Sequence, residues 1–134
     1  MTDPKEIKPN RFYTKDHEWA TPTGSEVLVG ITAFAVDQLG DITLVDLTVS
    51  AGTHLDAHQS FGTIESVKTL SDLFSPISGT VARVNQDLVE HPELVNEDCW
   101  EKAWMIALAP DKPLGAEGDL LNTAEYASHL ERAE

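Results

Sequence analysis

The run Glu65-Ser66-Val67-Lys68-Thr69 puts one primary amine, that of Lys68, near the middle of the 134-residue chain. A lysine offers nucleophilic chemistry: its neutral amine attacks an activated acyl group and forms a stable amide. At pH 7 only about one ordinary lysine in a few thousand is neutral, so a modifying enzyme has to remove the proton. Two halves that look like weak copies of each other flank the run. Gly40, Ile42, Val45 and Leu55 upstream match Gly79, Val81, Val84 and Leu94 downstream, each pair 39 residues apart (79 − 40 for the first). Of the six lysines, Lys5, Lys8, Lys15, Lys68, Lys102 and Lys112, only Lys68 lies at the centre of this pseudo-repeat. A tight hairpin joining two similar β halves would lift its side chain clear of the sheet, where an enzyme can reach it. Acylation there would remove one positive charge and take the net charge from −14 to −15.

Other residue types that carry chemistry are poorly arranged for it. His54 and His58 have i, i+4 spacing, but Gly52 and Asp56 mark a turn and no third ligand follows, so no metal site is expected. His17-Glu18 lacks the second histidine of a zinc peptidase helix. Gly24, Gly30, Gly40 and Gly52 each punctuate a separate turn or element end, and none belongs to a phosphate-cradling loop. Cys99 is the only cysteine and cannot form an internal disulfide. With Glu97, Asp98 and Glu101 around it, its thiolate is disfavoured and a small apolar role is expected.

Composition narrows the partners. The chain has 9 basic and 23 acidic residues, and from Asn85 onward 3 basic against 12 acidic. That balance argues against nucleic acid and anionic membranes, and against Trp19, Trp100 and Trp104 as a base-stacking platform. The longest apolar run, Val27 to Val36, is too short to span a bilayer and contains Gly30 and Thr32. Residues Met1 to Lys15 mix both charge signs without an apolar centre, unlike a secretory signal or an organellar presequence. The expectation is a cytoplasmic bacterial protein, or a mature form in the mitochondrial matrix. It would be a single freestanding domain over 1–134, with a short extension at 1–10.

The elements that must position Lys68 are mostly strands. Residues 17–19 and 26–31 read as a hairpin with Pro22-Thr23-Gly24 as its turn. Thr32 to Leu39 reads as a short helix, with Thr32 as N-cap and Gly40 beyond its end. Ile42 to Val49, Ser60 to Val67, Leu70 to Ser75, Thr80 to Asn85 and Trp104 to Ala109 are expected strands. Pro76 ends the strand after the lysine. His91 to Val95 should form a helical turn. A terminal helix over about 122–132 should start at Asn122, with Glu125 completing a capping box, and bury Tyr126 and Leu130.

A central hairpin lysine between two β halves resembles the biotinyl/lipoyl carrier fold. That implies a mostly β flattened barrel or sandwich of two quasi-symmetric sheets with short helices. More specifically, the chain resembles the H proteins of the glycine cleavage system. The matching residues are Asp16-His17-Glu18-Trp19, Val29-Gly30-Ile31-Thr32, Gly40-Asp41-Ile42, Phe61-Gly62, Glu65-Ser66-Val67-Lys68, Ser71-Asp72, Ser75-Pro76-Ile77-Ser78-Gly79, Val95-Asn96 and Trp104. It departs from the family at Cys99 to Ala103, where a Pro-Tyr and a Gly are usual, and at Thr69 and Leu70, where residues are commonly small.

The resemblance implies a carrier and not an enzyme. Lipoate would be attached by an amide to Lys68, with Glu65, Ser66 and Val67 forming the hairpin read by the lipoate-attaching enzyme. The arm would take an aminomethyl group from a pyridoxal-phosphate glycine decarboxylase to a tetrahydrofolate-dependent aminomethyltransferase. A dihydrolipoamide dehydrogenase would then reoxidise the dithiol. A tether raises effective concentration to the mM range, and few competing thiols suit a cofactor disulfide. The resemblance also puts Glu18 and Asp72 beside the arm, where their carboxylates would hold the cargo's ammonium. Asp16 stands where the family often has serine. Alternatives are a biotinyl carrier, which normally has methionines where Val67 and Thr69 stand, and the lipoyl domain of another multienzyme system, which would have Asp-Lys-Ala at its turn. An acid–base enzyme using Glu18 or Asp72 is a third, without a nucleophile to support it.

Overall fold

Nine strands occur among the residues described by the computed structural model, which are 6–114 and 120–133. Residues 1–5 of the expected extension lie outside the described residues. The strands are β1 (Phe12–Tyr13), β2 (Glu18–Thr23), β3 (Glu26–Ile31), β4 (Ile42–Leu47), β5 (His54–Leu55), β6 (Ser60–Ser66), β7 (Leu70–Phe74), β8 (Gly79–Val84) and β9 (Ile106–Pro110). Four helices complete the chain: α1 (Ala33–Leu39), α2 (Gln86–Glu90), α3 (Leu94–Glu97) and α4 (Thr123–Ala133). One sheet has the order β1-β2-β3-β9-β8-β5 and the other β4-β6-β7. Both run from edge to edge, so the architecture is mostly β with two open sheets.

The main core joins the two sheets. Val29, Ile31, Val81, Ile106 and Leu108 of the larger sheet share it with Val45, Phe61, Ile64 and Leu73 of the smaller one. A second cluster gathers Tyr13, Trp19, Ala33, Trp100, Tyr126 and Leu130 beneath α4. There Trp19 lies across Gly30, its partner on β3, where any Cβ would collide with the indole ring. The indole nitrogen donates to the carbonyls of Ile31 (2.9 Å) and Cys99 (3.1 Å).

Local signals located several elements well. Thr32 accepts from Ala35 N–H and caps α1, and Gly40, at φ +84°, closes it by donating to Val36. At α4 the box is reciprocal: Asn122 Oδ1 accepts from Glu125 N–H (2.8 Å) and Glu125 Oε1 accepts from Asn122 N–H (2.9 Å). Other boundaries moved. The first turn is Gly24-Ser25, and Pro22 lies inside β2, paired with Val27. Proline is tolerated there because β1 reaches only as far as Ala20, leaving that part of β2 at an edge. Helix α2 was not anticipated; Asn85, expected to end a strand, caps it by accepting from Asp87 N–H. The pseudo-repeat holds for Ile42 and Val45 on β4 against Val81 and Val84 on β8, one strand in each sheet. It breaks at Leu55 and Leu94, which fall on a strand and a helix.

The Tyr126 hydroxyl is the buried tie of helix α4, beside the more exposed bonds of Thr123 to Lys8 O and of His129 to Lys15 O. Tyr126 stacks on Tyr13 with centroids 4.5 Å apart, and its OH lies 2.7 Å from Thr32 Oγ1 and 2.8 Å from His17 Nδ1. Tyr126→Phe would leave His17 Nδ1 without this partner and Thr32 Oγ1 with only its Ala35 bond, so a loss of about 1–3 kcal/mol is expected. Urea unfolding checks it: the midpoint should fall at unchanged slope.

Candidate functional site

Ser66 is the reason the β6–β7 hairpin holds its shape. Its hydroxyl accepts from the N–H groups of Lys68 and Thr69 (3.2 Å each), and its own N–H donates to Thr69 O (2.8 Å). A second anchor comes from the residue before β4: Val67 N–H donates to Asp41 O (3.0 Å). Asp41 is held in turn by Asn96 on α3. The Asn96 carboxamide donates to Gly40 O (3.0 Å) and accepts from Ile42 N–H (2.9 Å). So Gly40-Asp41-Ile42, Asn96 and Ser66, widely spaced in sequence, converge on one loop. Ser66 is buried and does this internal work, whereas Glu65, Val67 and Lys68 are exposed on the hairpin.

The Lys68 side chain runs over Gly40. A Cβ on Gly40 would sit 3.3 Å from Lys68 Cε and 3.8 Å from Nζ, so the missing side chain opens a track for the lysine stem. Immediately before Gly40, Gln38 and Leu39 form one wall of a cleft of about 310 Å³. Ile31, Ala35, Ile64 and the β7 residues Ser71 to Phe74 line it further, and Asp16, His17 and Glu18 close its end. The three carboxylate residues singled out from sequence thus reach one cavity.

Their surroundings differ. Glu18 is only 3% exposed and accepts from Thr14 Oγ1 at 2.6 Å. Burial pushes its carboxyl up to about 7; the Thr14 hydrogen bond opposes the shift and the Asp16 charge adds to it. Asp16 and Asp72 are exposed at the rim, Asp72 opposite Thr63 on the smaller sheet. His17 adopts a left-handed φ of +69° and packs its ring 4.6 Å from Phe34. Burial, then the neighbouring His129, pushes its imidazole down to about 4, so it is neutral at pH 7 and adds no cation to the cleft. An apolar trough with acidic groups at one end and along its rim suits an aliphatic arm ending in an ammonium.

Sequence reasoning missed Thr14, which orients Glu18, and Tyr126, which links His17 to the α1 cap. Thr14 acts within its own turn, four residues from Glu18, but matches no standard cap or turn signature; Tyr126 acts across the fold. Cys99 is buried and its thiol is pushed up to about 12, by burial first and by Asp98 second. His54 pairs with Asp111 at the surface (2.7 Å), and no group of three metal-ligating side chains occurs among the described residues.

Glu18 makes stability pH-dependent in a defined direction. Its folded-state value lies above the ordinary 4.5, so the protonated form stabilises the fold below about pH 4.5. That contribution is lost as pH rises through about 7. Relative to Glu18→Gln, the wild type should lose up to roughly 3 kcal/mol between pH 4.5 and pH 8. Parallel urea titrations of the two proteins across that range check the slope.

Comparison with known proteins agrees with this geometry. The family model described as Glycine cleavage H-protein matches residues 11–133. A glycine cleavage system H protein of Magnetococcus marinus is 51% identical over 132 residues, covering 98% of this chain and 89% of the relative. One from Geobacillus thermodenitrificans is 47% identical over 128 residues, covering 96% of each. The crystal structure of a glycine cleavage system H protein from Mycobacterium marinum superposes with a TM-score of 0.82 at 37% identity, covering 93% of this chain and 99% of that one. Matched along nearly its whole length in sequence and in backbone, the chain belongs to the glycine cleavage H-protein family.

Proposed function

We propose that this protein works as the lipoyl carrier of a glycine cleavage system, with Lys68 as the attachment point. The observation that supports it best is the meeting of an exposed hairpin lysine with an acid-tipped apolar cleft. The residues fit a lipoyl amide: Gly40 leaves room for the lysine stem, and Ile31, Leu39, Ile64 and Leu73 offer apolar walls to an aliphatic chain. When bound, the lipoyl group would supply a redox-active disulfide at the end of an arm that stays tethered to Lys68.

The chain's own residues do the rest. Ser66 and Asp41 hold the loop so that the Lys68 amine projects to the modifying enzyme. Ile31, Leu39, Ile64 and Phe74 exclude water from the cleft. Asp72 and Asp16 offer charge to an incoming ammonium, and Glu18 meets it deeper in. An ammonium against Glu18 favours the carboxylate, which opposes the upward shift that burial gives its carboxyl. An exposed ion pair is worth about 1 kcal/mol or less, which lets the arm leave again.

As partners we propose glycine decarboxylase, the tetrahydrofolate-dependent aminomethyltransferase, dihydrolipoamide dehydrogenase and a lipoate-attaching enzyme. The protein itself is a non-catalytic carrier, a single unit acting in the cytoplasm; the bacterial relatives support that location.

Lys68→Arg should fold normally and end both lipoylation and glycine decarboxylation in the reconstituted system. Intact mass before and after lipoylation reads the first effect; lipoate on another lysine would overturn the assignment. Neutralising the cleft with Glu18→Gln and Asp72→Asn should leave lipoylation intact. It should speed loss of the aminomethyl cargo by about tenfold for each 1.4 kcal/mol removed. Decay of loaded carrier without partner enzymes is the measurement, and equal decay in both proteins would assign the shelter to packing alone.

A further inference from the structure

Among the described residues four large apolar side chains stand exposed: Leu44 (46%), Val67 (68%), Leu70 (61%) and Val89 (40%). Three of them lie on the smaller sheet or on the loop between β6 and β7 that carries Lys68. Leu44 on β4 pairs with Glu65 on β6, and Glu65 pairs with Leu70 on β7. Residues directly opposite in neighbouring strands project from the same face about 5 Å apart. Leu44 and Leu70 therefore flank the Glu65 stem on the outward face of the smaller sheet. The next rung, Val45 and Ile64, is fully buried on the other face. Val67 extends the band to the loop that carries Lys68. Asp41, Asp46, Glu65 and Asp72 give the band an exposed acidic border.

Reach decides which partner fits this band. An enzyme that acts on the far end of a long arm can stand off from the hairpin. The enzyme that makes the amide cannot, because its acyl carbon has to come within bonding distance of Lys68 Nζ. In that step the neutral amine attacks an activated acyl group, here an acyl–phosphate anhydride. The N–C bond forms, the C–O bond to phosphate breaks with its electron pair leaving on the phosphate, and the nitrogen's proton passes to a base on the enzyme. The mouth of that enzyme has to close around the hairpin and its flanks.

We propose that Leu44 and Leu70, continuous with Val67, form the docking band for the acylating enzyme, whose mouth presents an apolar rim edged with basic side chains. The proposal rests on the reading of Lys68 as the acylated residue and adds a contact on the neighbouring strand β4, outside the hairpin itself.

The test is initial-rate lipoylation of the unmodified protein by a purified lipoate ligase with lipoate and ATP, read by intact mass. Wild type is compared with Leu44→Thr, Leu70→Thr and the double variant; threonine is chosen because it keeps strand propensity. The double variant should lose at least tenfold in kcat/KM, mainly through KM, while its urea midpoint stays within error of wild type. Val67→Ser, in a loop with no core contact to lose, should show the same kind of KM effect. A kcat/KM within twofold of wild type in the double variant would overturn the proposal. So would an equal loss when dihydrolipoamide dehydrogenase acts on fully lipoylated double variant, since the band would then be a common partner surface. Failure of wild type to be modified at Lys68 would instead sink the carrier reading.

Discussion

The Asn96 carboxamide bonds to both sides of Asp41, and the presentation of the lysine depends on that fork. A hairpin loop of three residues has little stability of its own, because few backbone bonds cross it. Here Asn96 grips Gly40 O and Ile42 N–H, which aims the Asp41 carbonyl at Val67. Ser66 then ties Lys68 and Thr69 from below. The smaller sheet, α3 and the end of α1 are thereby coupled through one side chain. The same crossing segment places Gly40 under the lysine stem, so anchoring the loop and clearing its track are one constraint.

The cleft beside the lysine depends on a second constraint, the price of burying a carboxyl. Glu18 is withdrawn from water by the turn at 14–18 and carries one strong hydrogen bond from Thr14. That environment keeps its proton close to neutral pH, whereas Asp16 and Asp72 face solvent. The result is a graded site, with charge at the rim and a titratable group inside. Raising the carboxyl toward neutral pH lessens the cost of keeping a bare charge in a buried place. Tyr126 supports this arrangement from outside the cleft. By bonding both His17 and Thr32 it ties the turn that carries Glu18 to the helix that forms the opposite wall.

The surface is divided in a way that follows from these two constraints. The outward face of the smaller sheet and the hairpin that carries Lys68 keep exposed leucine and valine. The remainder carries the excess acid that gives the chain its net charge of −14. A strongly acidic carrier with a small apolar band can be attracted by basic partners at a distance and recognised only on contact.

Much of this was legible in the sequence wherever the determining interactions are local. The caps of α1 and α4 are bonds between residues three apart, so Thr32, Asn122 and Glu125 announced them. The central lysine followed from a repeat period, and Ile42 and Val45 do occupy β4 as Val81 and Val84 occupy β8. The repeat could not carry Leu94 onto a strand, because Pro92 and the turn before it commit that stretch to a helix. Pro22 misled for a related reason: its tolerance within β2 depends on where β1 ends, which no residue near it encodes. Glu18 and Asp72 could be paired from sequence only through family resemblance, since they lie on different sheets. By itself, then, the sequence determined the longer strands, the caps of α1 and α4, the central lysine and the acidic character, all set by short-range bonding and composition. Tertiary structure alone decided that Glu18 is buried with its carboxyl shifted up, that Tyr126 ties His17 to Thr32, and that Leu44 and Leu70 flank Glu65. Each of those depends on groups brought together across the fold, where desolvation and strand register set the outcome.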